Sequence, residues 1–304
     1  MKKITRFTRY ILFAISILLS AAMLSAPAAS FAMSAMSFNL FTAKAVHSNN
    51  DAHKSQNTQF DTEVLSHTHT PLLNTKQSRM DNIILTCDKI NETVISPYNI
   101  FSFNEVVGER TEERGYQSAP TFVDGKIAES LGGGICQVSS TLYYACLLAN
   151  LEIIERQNHS MLPDYVSIPG FDATVYWDSI DFKFRNNSIT AIKILSWIED
   201  YKVHVKIMGV KQNNNTVIIE GEIISTNPAE IVFVDNPSLA PGQINVLQPS
   251  FNGYVVDTYR KVINEEGKLL SLTLEARSIY NKLDKIVEYN FAKVPEDSFI
   301  IPSA

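Results

Sequence analysis

Cysteine is scarce in this chain: three in 304 residues, at Cys87, Cys136 and Cys146. An odd number leaves at least one thiol free. No Cys-x-x-Cys pair and no Cys/His cluster occurs, which argues against a structural zinc site. No metal and no other cofactor is expected. A basic excess is also missing. Lys and Arg number 26 against 32 Asp and Glu, for a net charge of −6. Such a surface does not attract nucleic acid or an acidic membrane by charge, so no nucleic-acid partner is expected. No cysteine follows the N-terminal apolar run, which excludes lipidation at a new N-terminal cysteine. Apolar residues are plentiful, at 45% of the chain. That supports a packed core, and the length suits one large domain or two modest ones.

The first residues carry a targeting pattern. Lys2, Lys3, Arg6 and Arg9 precede an apolar stretch from Tyr10 to Leu24, and Ser30-Phe31-Ala32 offers a small-x-small cleavage site. The apolar run is short for a span of about 20 residues, although its Ala-rich tail extends it. Residues 1–32 therefore read as a signal peptide or an N-terminal membrane anchor. Either reading places the rest outside the cytoplasm, secreted or held at the outer face of the membrane or in the wall. Residues 33–76 are polar, contain His47, His53, His67 and His69, and are expected to form a disordered tether.

Two helices are predicted next. Met80, Ile83, Ile84, Cys87 and Ile90 share a stripe, and so do Val138, Leu142, Ala145, Cys146 and Ala149. Cys87 and Cys146 are thus expected to be core residues. Strands are predicted at Thr174–Trp177 and Asp181–Arg185, and as a hairpin from Ala191 to Met208 about Glu199-Asp200. His204 falls on the charged face of that hairpin. After a polar break at Lys211–Asn215, a second hairpin is predicted from Tyr254 to Tyr280, turning at Asn264–Gly267. The fold class expected is α+β: two helices on a mainly antiparallel sheet over 77–210, then a small all-β module over 216–297.

The chemistry concentrates in Gly132-Gly133-Gly134-Ile135-Cys136-Gln137-Val138-Ser139-Ser140-Thr141-Leu142-Tyr143. Glycines let backbone approach a ligand closely. A cysteine at a helix start faces the positive end of the macrodipole, which favours thiolate over thiol. Free N–H groups there are suited to hold a developing oxyanion. Gln137, Ser139 and Ser140 make a polar first turn, as helix caps or ligand contacts. A cysteine nucleophile needs a base. His159 lies in a loop after the helix, and Asp172 or Asp181 is available to orient it.

These residues carry a family resemblance. Phe101-Ser102-Phe103-Asn104, Val107-Gly108-Glu109-Arg110-Thr111 and Gly115-Tyr116 resemble the opening blocks of the VanW domain. The Gly132–Tyr143 segment resembles its core signature. Glu155-Arg156, His159-Ser160, Asp172-Ala173-Thr174-Val175, and Asp181 with Phe184 and Asn186 resemble its later blocks. The blocks run in family order over about 130 residues, from Arg79 to Met208. One departure is visible: the family pattern favours Pro-Gly before Phe-Ser-Phe-Asn, whereas Pro97 is followed here by Tyr98. The C-terminal module is weakly similar to G5-type wall-binding modules.

The resemblance implies cell-wall work linked to glycopeptide resistance, through a cysteine-dependent L,D-transpeptidase acting on peptidoglycan stem peptides. Cys136 is then the nucleophile, His159 the base, and Asp172 or Asp181 its support. Gly132, Gly133, Gly134, Gln137, Ser139, Ser140 and Tyr143 become candidate substrate contacts. Two other readings share the same residues: a cysteine peptidase or amidase on wall peptides, and a non-catalytic peptidoglycan-binding protein.

Overall fold

The computed structural model describes residues 41–44, 62–123, 126–240 and 242–291. The expected signal or anchor segment, His47 and His53 lie outside them. No helix among the described residues is long and apolar enough to cross a membrane.

A four-stranded antiparallel sheet carries the first half of the fold. Its order is β2 (Glu63–Pro71), β10 (Lys202–Gly209), β9 (Ile192–Glu199) and β3 (Val94–Ile95). Strands β9 and β10 form the predicted hairpin. Asp200 and Tyr201 both turn with positive φ, the geometry of a two-residue hairpin loop. Val203, Val205 and Ile207 are fully buried, whereas Tyr201 sits in the turn and is exposed.

Strand β2 corrects the expectation of a structureless tether through residue 76. Its inward positions are Ser66, Thr68 and Thr70, so the segment looks polar in sequence. Those hydroxyls are consumed by helix α3 (Ile135–Leu148). Ser66 donates to the Ala145 carbonyl at 2.8 Å and Thr68 to the Thr141 carbonyl at 2.9 Å. His67 and His69 face outward beside His204, with His67 Nε2 3.1 Å from His204 Nδ1.

Helix α1 (Gln77–Ile90) presents Ile83, Cys87 and Ile90 to the core, and α3 presents Val138, Leu142, Ala145 and Cys146. A short helix α2 (Phe103–Val107), not anticipated from the sequence, is capped by the Ser102 hydroxyl, which accepts from the Glu105 N–H. It follows β4 (Ile100–Ser102), which pairs with β8 (Lys183–Arg185), and β8 pairs with β7 (Glu152–Glu155). The predicted strand at Thr174–Trp177 is instead a loop held by isolated bridges from Thr174 to Gln157 and from Tyr176 to Ile180. A small hairpin joins β5 (Ser118–Val123) to β6 (Lys126–Leu131).

The remainder is all β. Strands β11 (Thr216–Asn227), β14 (Gly253–Ile263) and β15 (Leu269–Tyr280) form one antiparallel sheet. Strand β1 (Phe41–Lys44) adds to its edge, so this sheet also draws on chain from before the first domain. Strands β12 (Ile231–Asp235), β16 (Lys285–Tyr289) and β13 (Ile244–Gln248) form another sheet. The module is docked on the first half by polar contacts: Arg260 donates to the Leu151 carbonyl at 2.8 Å, and the Asn281 N–H to the Ser160 carbonyl at 2.7 Å.

Two backbone positions make opposite predictions. An added Cβ at Gly133 would lie 2.4 Å from the Ala119 carbonyl oxygen, which is backbone and cannot step aside. Tyr98, at the position where the family pattern favours glycine, has φ +63° and a side chain 61% exposed. Gly133→Ala should cost about 1–3 kcal/mol from overpacking. Tyr98→Gly should be neutral or stabilising, because glycine enters the left-handed region without the Cβ penalty of about 1–2 kcal/mol. Thermal melts of the two variants check the pair; a lower melting temperature for Tyr98→Gly than for Gly133→Ala contradicts it.

Candidate active site

The turn before α3 is built from glycine for packing reasons. Gly132 (φ +77°) and Gly134 (φ +105°) need the left-handed region. Gly134 lies against Arg79 and Ile83, and Gly132 against Arg110. The glycines are thus occupied by their neighbours, which corrects their expected role as a ligand cradle. The Ile135 and Gln137 N–H groups bond back to the Gly132 and Gly134 carbonyls, so they are not open oxyanion donors.

Cys136 sits in the first turn of α3 and is half-buried. Its Sγ lies 3.5 Å from both the N–H and the carbonyl oxygen of Val175, and 3.7 Å from Thr174 Oγ1. The His159 imidazole is near enough to the thiol for each to shift the other's ionisation. His159 Nδ1 is 2.6 Å from Asp172 Oδ2, and the His159 backbone N–H donates to the same oxygen at 2.7 Å. With Nδ1 engaged, Nε2 is the ring nitrogen left for Cys136. The Tyr165 hydroxyl lies 3.5 Å from that nitrogen. The His159 side chain keeps 20% of its surface exposed, whereas Asp172 is fully buried.

The other oxygen of Asp172 accepts from Arg156 Nη2 at 3.0 Å and from the Tyr280 hydroxyl. Arg156 also donates to the Asp172 carbonyl at 2.6 Å, the Gly170 carbonyl at 3.1 Å and Ser278 Oγ at 2.8 Å. Tyr280 and Ser278 belong to strand β15, so the β module supplies part of the support.

These contacts set the charges. Burial pushes the Cys136 thiol up, but nearby His159, with Val175 and Thr174, holds it below its ordinary value. Burial disfavours charge on His159, yet Asp172 and the thiolate outweigh this and raise it to about 9. Burial also opposes ionisation of Asp172, but His159 and Arg156 hold it at about 2. The combination shifts the pair toward thiolate and imidazolium. Burial pushes Cys87 up to about 12 and Cys146 well above its ordinary range.

Several candidate residues have other duties. Asp181 does not reach His159: it accepts from Ser102 Oγ at 2.5 Å and from the Asn104 and Phe182 N–H groups, fixing the start of α2. Gln137 is fully buried, accepting from Arg79 at 2.9 Å and donating to the Pro71 carbonyl at 2.8 Å. Ser139 and Ser140 donate to the Ala173 carbonyl at 2.7 and 3.3 Å, and Ser140 accepts from the Ala173 N–H. They clamp the 172–175 loop to α3 and so place Asp172 and Val175. Tyr143 is buried beneath Arg156, whose guanidinium lies 5.0 Å from its ring centre. Gln137, Ser139, Ser140 and Tyr143 are all shielded from solvent by these neighbours. Among the described residues no group of three or more His, Cys, Asp or Glu is placed to hold a metal ion.

Residues 78–208 match the family model described as VanW like protein. This segment is a VanW-like domain. The chain is 46% identical over 134 residues to the "Uncharacterized protein YoaR" of Bacillus subtilis (strain 168), covering 41% of this chain and 44% of that one. It is 30% identical over 141 residues to the "Vancomycin B-type resistance protein VanW" of Enterococcus faecalis (strain ATCC 700802 / V583), covering 45% and 51%. The chain thus spans about half the length of the curated relatives it matches. Two solved structures, "IgA1 Protease G5 domain structure" and "Crystal structure of HP0197-G5", align at 22% and 21% identity. They cover 27% and 25% of this chain and 96% and 97% of their own, with TM-scores of 0.19 and 0.17. The β character of residues C-terminal to the VanW-like domain rests on their own strand register.

The three thiols and Asp172 give one test. Mild alkylation at pH 7 should label Cys136 alone. Asp172→Asn should let His159 fall back toward 6.5 and the thiol rise toward 9.0, slowing labelling about tenfold for each unit lost. The stability advantage of wild type over Asp172→Asn has a matching window. The raised His159 contributes fully below pH 6.5 and loses its share as pH rises through about 9. The depressed Asp172 contributes above pH 3.8 and loses its share as pH falls through about 2. Peptide mapping and melts across pH read both; label appearing first on Cys87 or Cys146, or an unchanged profile in Asp172→Asn, contradicts the assignment.

Proposed function

We propose that the VanW-like domain is a cysteine acyltransferase of cell-wall peptides, an L,D-transpeptidase forming 3→3 cross-links outside the cytoplasm. The observation that carries this reading is the order Cys136–His159–Asp172: a thiol beside an imidazole whose far nitrogen is fixed by a buried carboxylate. That is the arrangement of nucleophile, base and orienting group. An inert structural cysteine is buried among apolar groups, whereas half-buried Cys136 has polar neighbours at its sulfur.

In the proposed step the Cys136 thiolate attacks the carbonyl carbon of the third stem residue of a tetrapeptide. The C–N bond to the terminal D-Ala breaks, and the imidazolium of His159 gives its proton to the departing amine. An S–C bond remains as a thioester. An amine from a neighbouring stem attacks that carbon, loses a proton to His159 and releases the thiolate. The route uses no terminal D-Ala-D-Ala. A connection with glycopeptide resistance, the subject of the Enterococcus faecalis relative's name, then has a chemical reason.

Purified protein given tetrapeptide-bearing muropeptides should yield cross-linked dimers and free D-Ala, and Cys136→Ala should yield neither. Shortened monomers without dimers would establish a hydrolase. Dimers formed by Cys136→Ala would exclude the thioester. Retention of the fragments by wild type without any turnover would establish a binding protein.

A further inference from the structure

Arg110 stands out among the buried arginines. Arg79 donates to Gln137, Arg156 to Asp172 and Arg260 to Glu275. Arg110 is as deeply placed, at 8% exposure, yet its one hydrogen bond runs from Nη1 to the Gly108 carbonyl at 3.0 Å. Its Nε and Nη2 have no partner among the described residues. The acid whose charge reaches it, Asp181, is already committed to Ser102, Asn104 and Phe182. A buried cationic donor without a partner works against folding.

The unpartnered edge, shielded from solvent, has a defined shape. Nε and Nη2 lie side by side on a guanidinium and match the two oxygens of a carboxylate. Arg277 in this same chain shows the match, gripping Asp257 with Nε and Nη2 at 2.6 Å each.

The location ties this edge to Cys136. The Arg110 stem packs on Gly132, in the turn that leads into Cys136. Its guanidinium lies 5.9 Å from the Phe103 ring centre and 5.8 Å from that of Trp177. Phe103 is fully buried and closes the inner side; Trp177, 38% exposed, is the outer cover. Trp177 follows Val175 in the loop whose backbone holds the Cys136 Sγ. The two chain segments that flank the sulfur therefore also flank the guanidinium, and the Cys136 charge is felt at Arg110.

We propose that the Nε/Nη2 edge of Arg110 binds the free carboxylate of the residue that leaves when Cys136 attacks. This rests on the acyl-transfer reading above and specifies its donor. In a tetrapeptide that carboxylate sits on the residue bonded directly to the attacked carbonyl, close to the sulfur. A donor ending in an amide, or extended by a further residue, presents no anion at that point.

Cys136→Ala protein binds without reacting, so recognition separates from chemistry. Titration by calorimetry should show the synthetic tetrapeptide acid binding at least about tenfold tighter than its C-terminal amide, the scale of a lost charge-assisted pair. With Arg110→Gln added, acid and amide should bind equally weakly, and the melting temperature should equal or exceed the parent's, since an unpartnered buried charge has been removed. Should Arg110→Gln fail to fold, Arg110→Lys decides, because it keeps the charge and loses the fork: most of the acid preference should vanish. An acid preference that survives in whichever variant folds overturns the proposal, as does an absence of acid preference, or of any binding, in the Cys136→Ala parent. Dimer formation by wild type without acid preference would sink this inference and leave the transferase reading standing; acid preference without turnover would do the reverse.

Discussion

The carboxylate of Asp172 is the joint on which this molecule turns. It is fully buried and held by Arg156, Tyr280 and two N–H groups of His159. An unpaired carboxylate at such a place is strongly unfavourable, so each donor is a requirement of the fold as well as of the site. Because the charge is retained, His159 keeps its proton, and because His159 is cationic, the neighbouring thiol ionises below its ordinary range. Packing and protonation here are one set of contacts.

The loop that carries Asp172 owes its path to α3. Ser139 and Ser140, adjacent residues one turn after Cys136, grip both backbone groups of Ala173. That contact delivers Asp172 to His159 on one side and Val175 to the sulfur on the other. The polar turn after Cys136 thus works through the loop it holds.

This distinction marks how far the sequence could be read. The stripes that bury Cys87 and Cys146 follow from helical period alone, and the isolation of Cys136 follows from its place at a helix start. The hairpins were legible because their alternation and turn residues are local. Strand β2 was not, since its inward residues are hydroxyls bonded to α3 and carry no apolar alternation. The roles of Gln137, Ser139, Ser140 and Tyr143 carry no local signal, because their partners Arg79, Ala173 and Arg156 come from other segments of the chain. Asp172 and Asp181 were equivalent on paper and are separated by which loop meets His159. Arg156 stood inside a recognisable block, but Tyr280 had no local signal at all, since its meaning lies in a contact across 108 positions.

That separation has a consequence for synthesis. The thiol, the imidazole and Asp172 all leave the ribosome well before β15. Until that strand arrives and docks, Asp172 lacks the Tyr280 hydroxyl and Arg156 lacks Ser278. A nascent or truncated chain therefore holds its cysteine in an unfinished electrostatic setting. The Cys136 thiol reaches its final electrostatic setting only as the last third of the polypeptide docks beside it, and on the proposed chemistry completeness of the chain becomes a condition of reactivity.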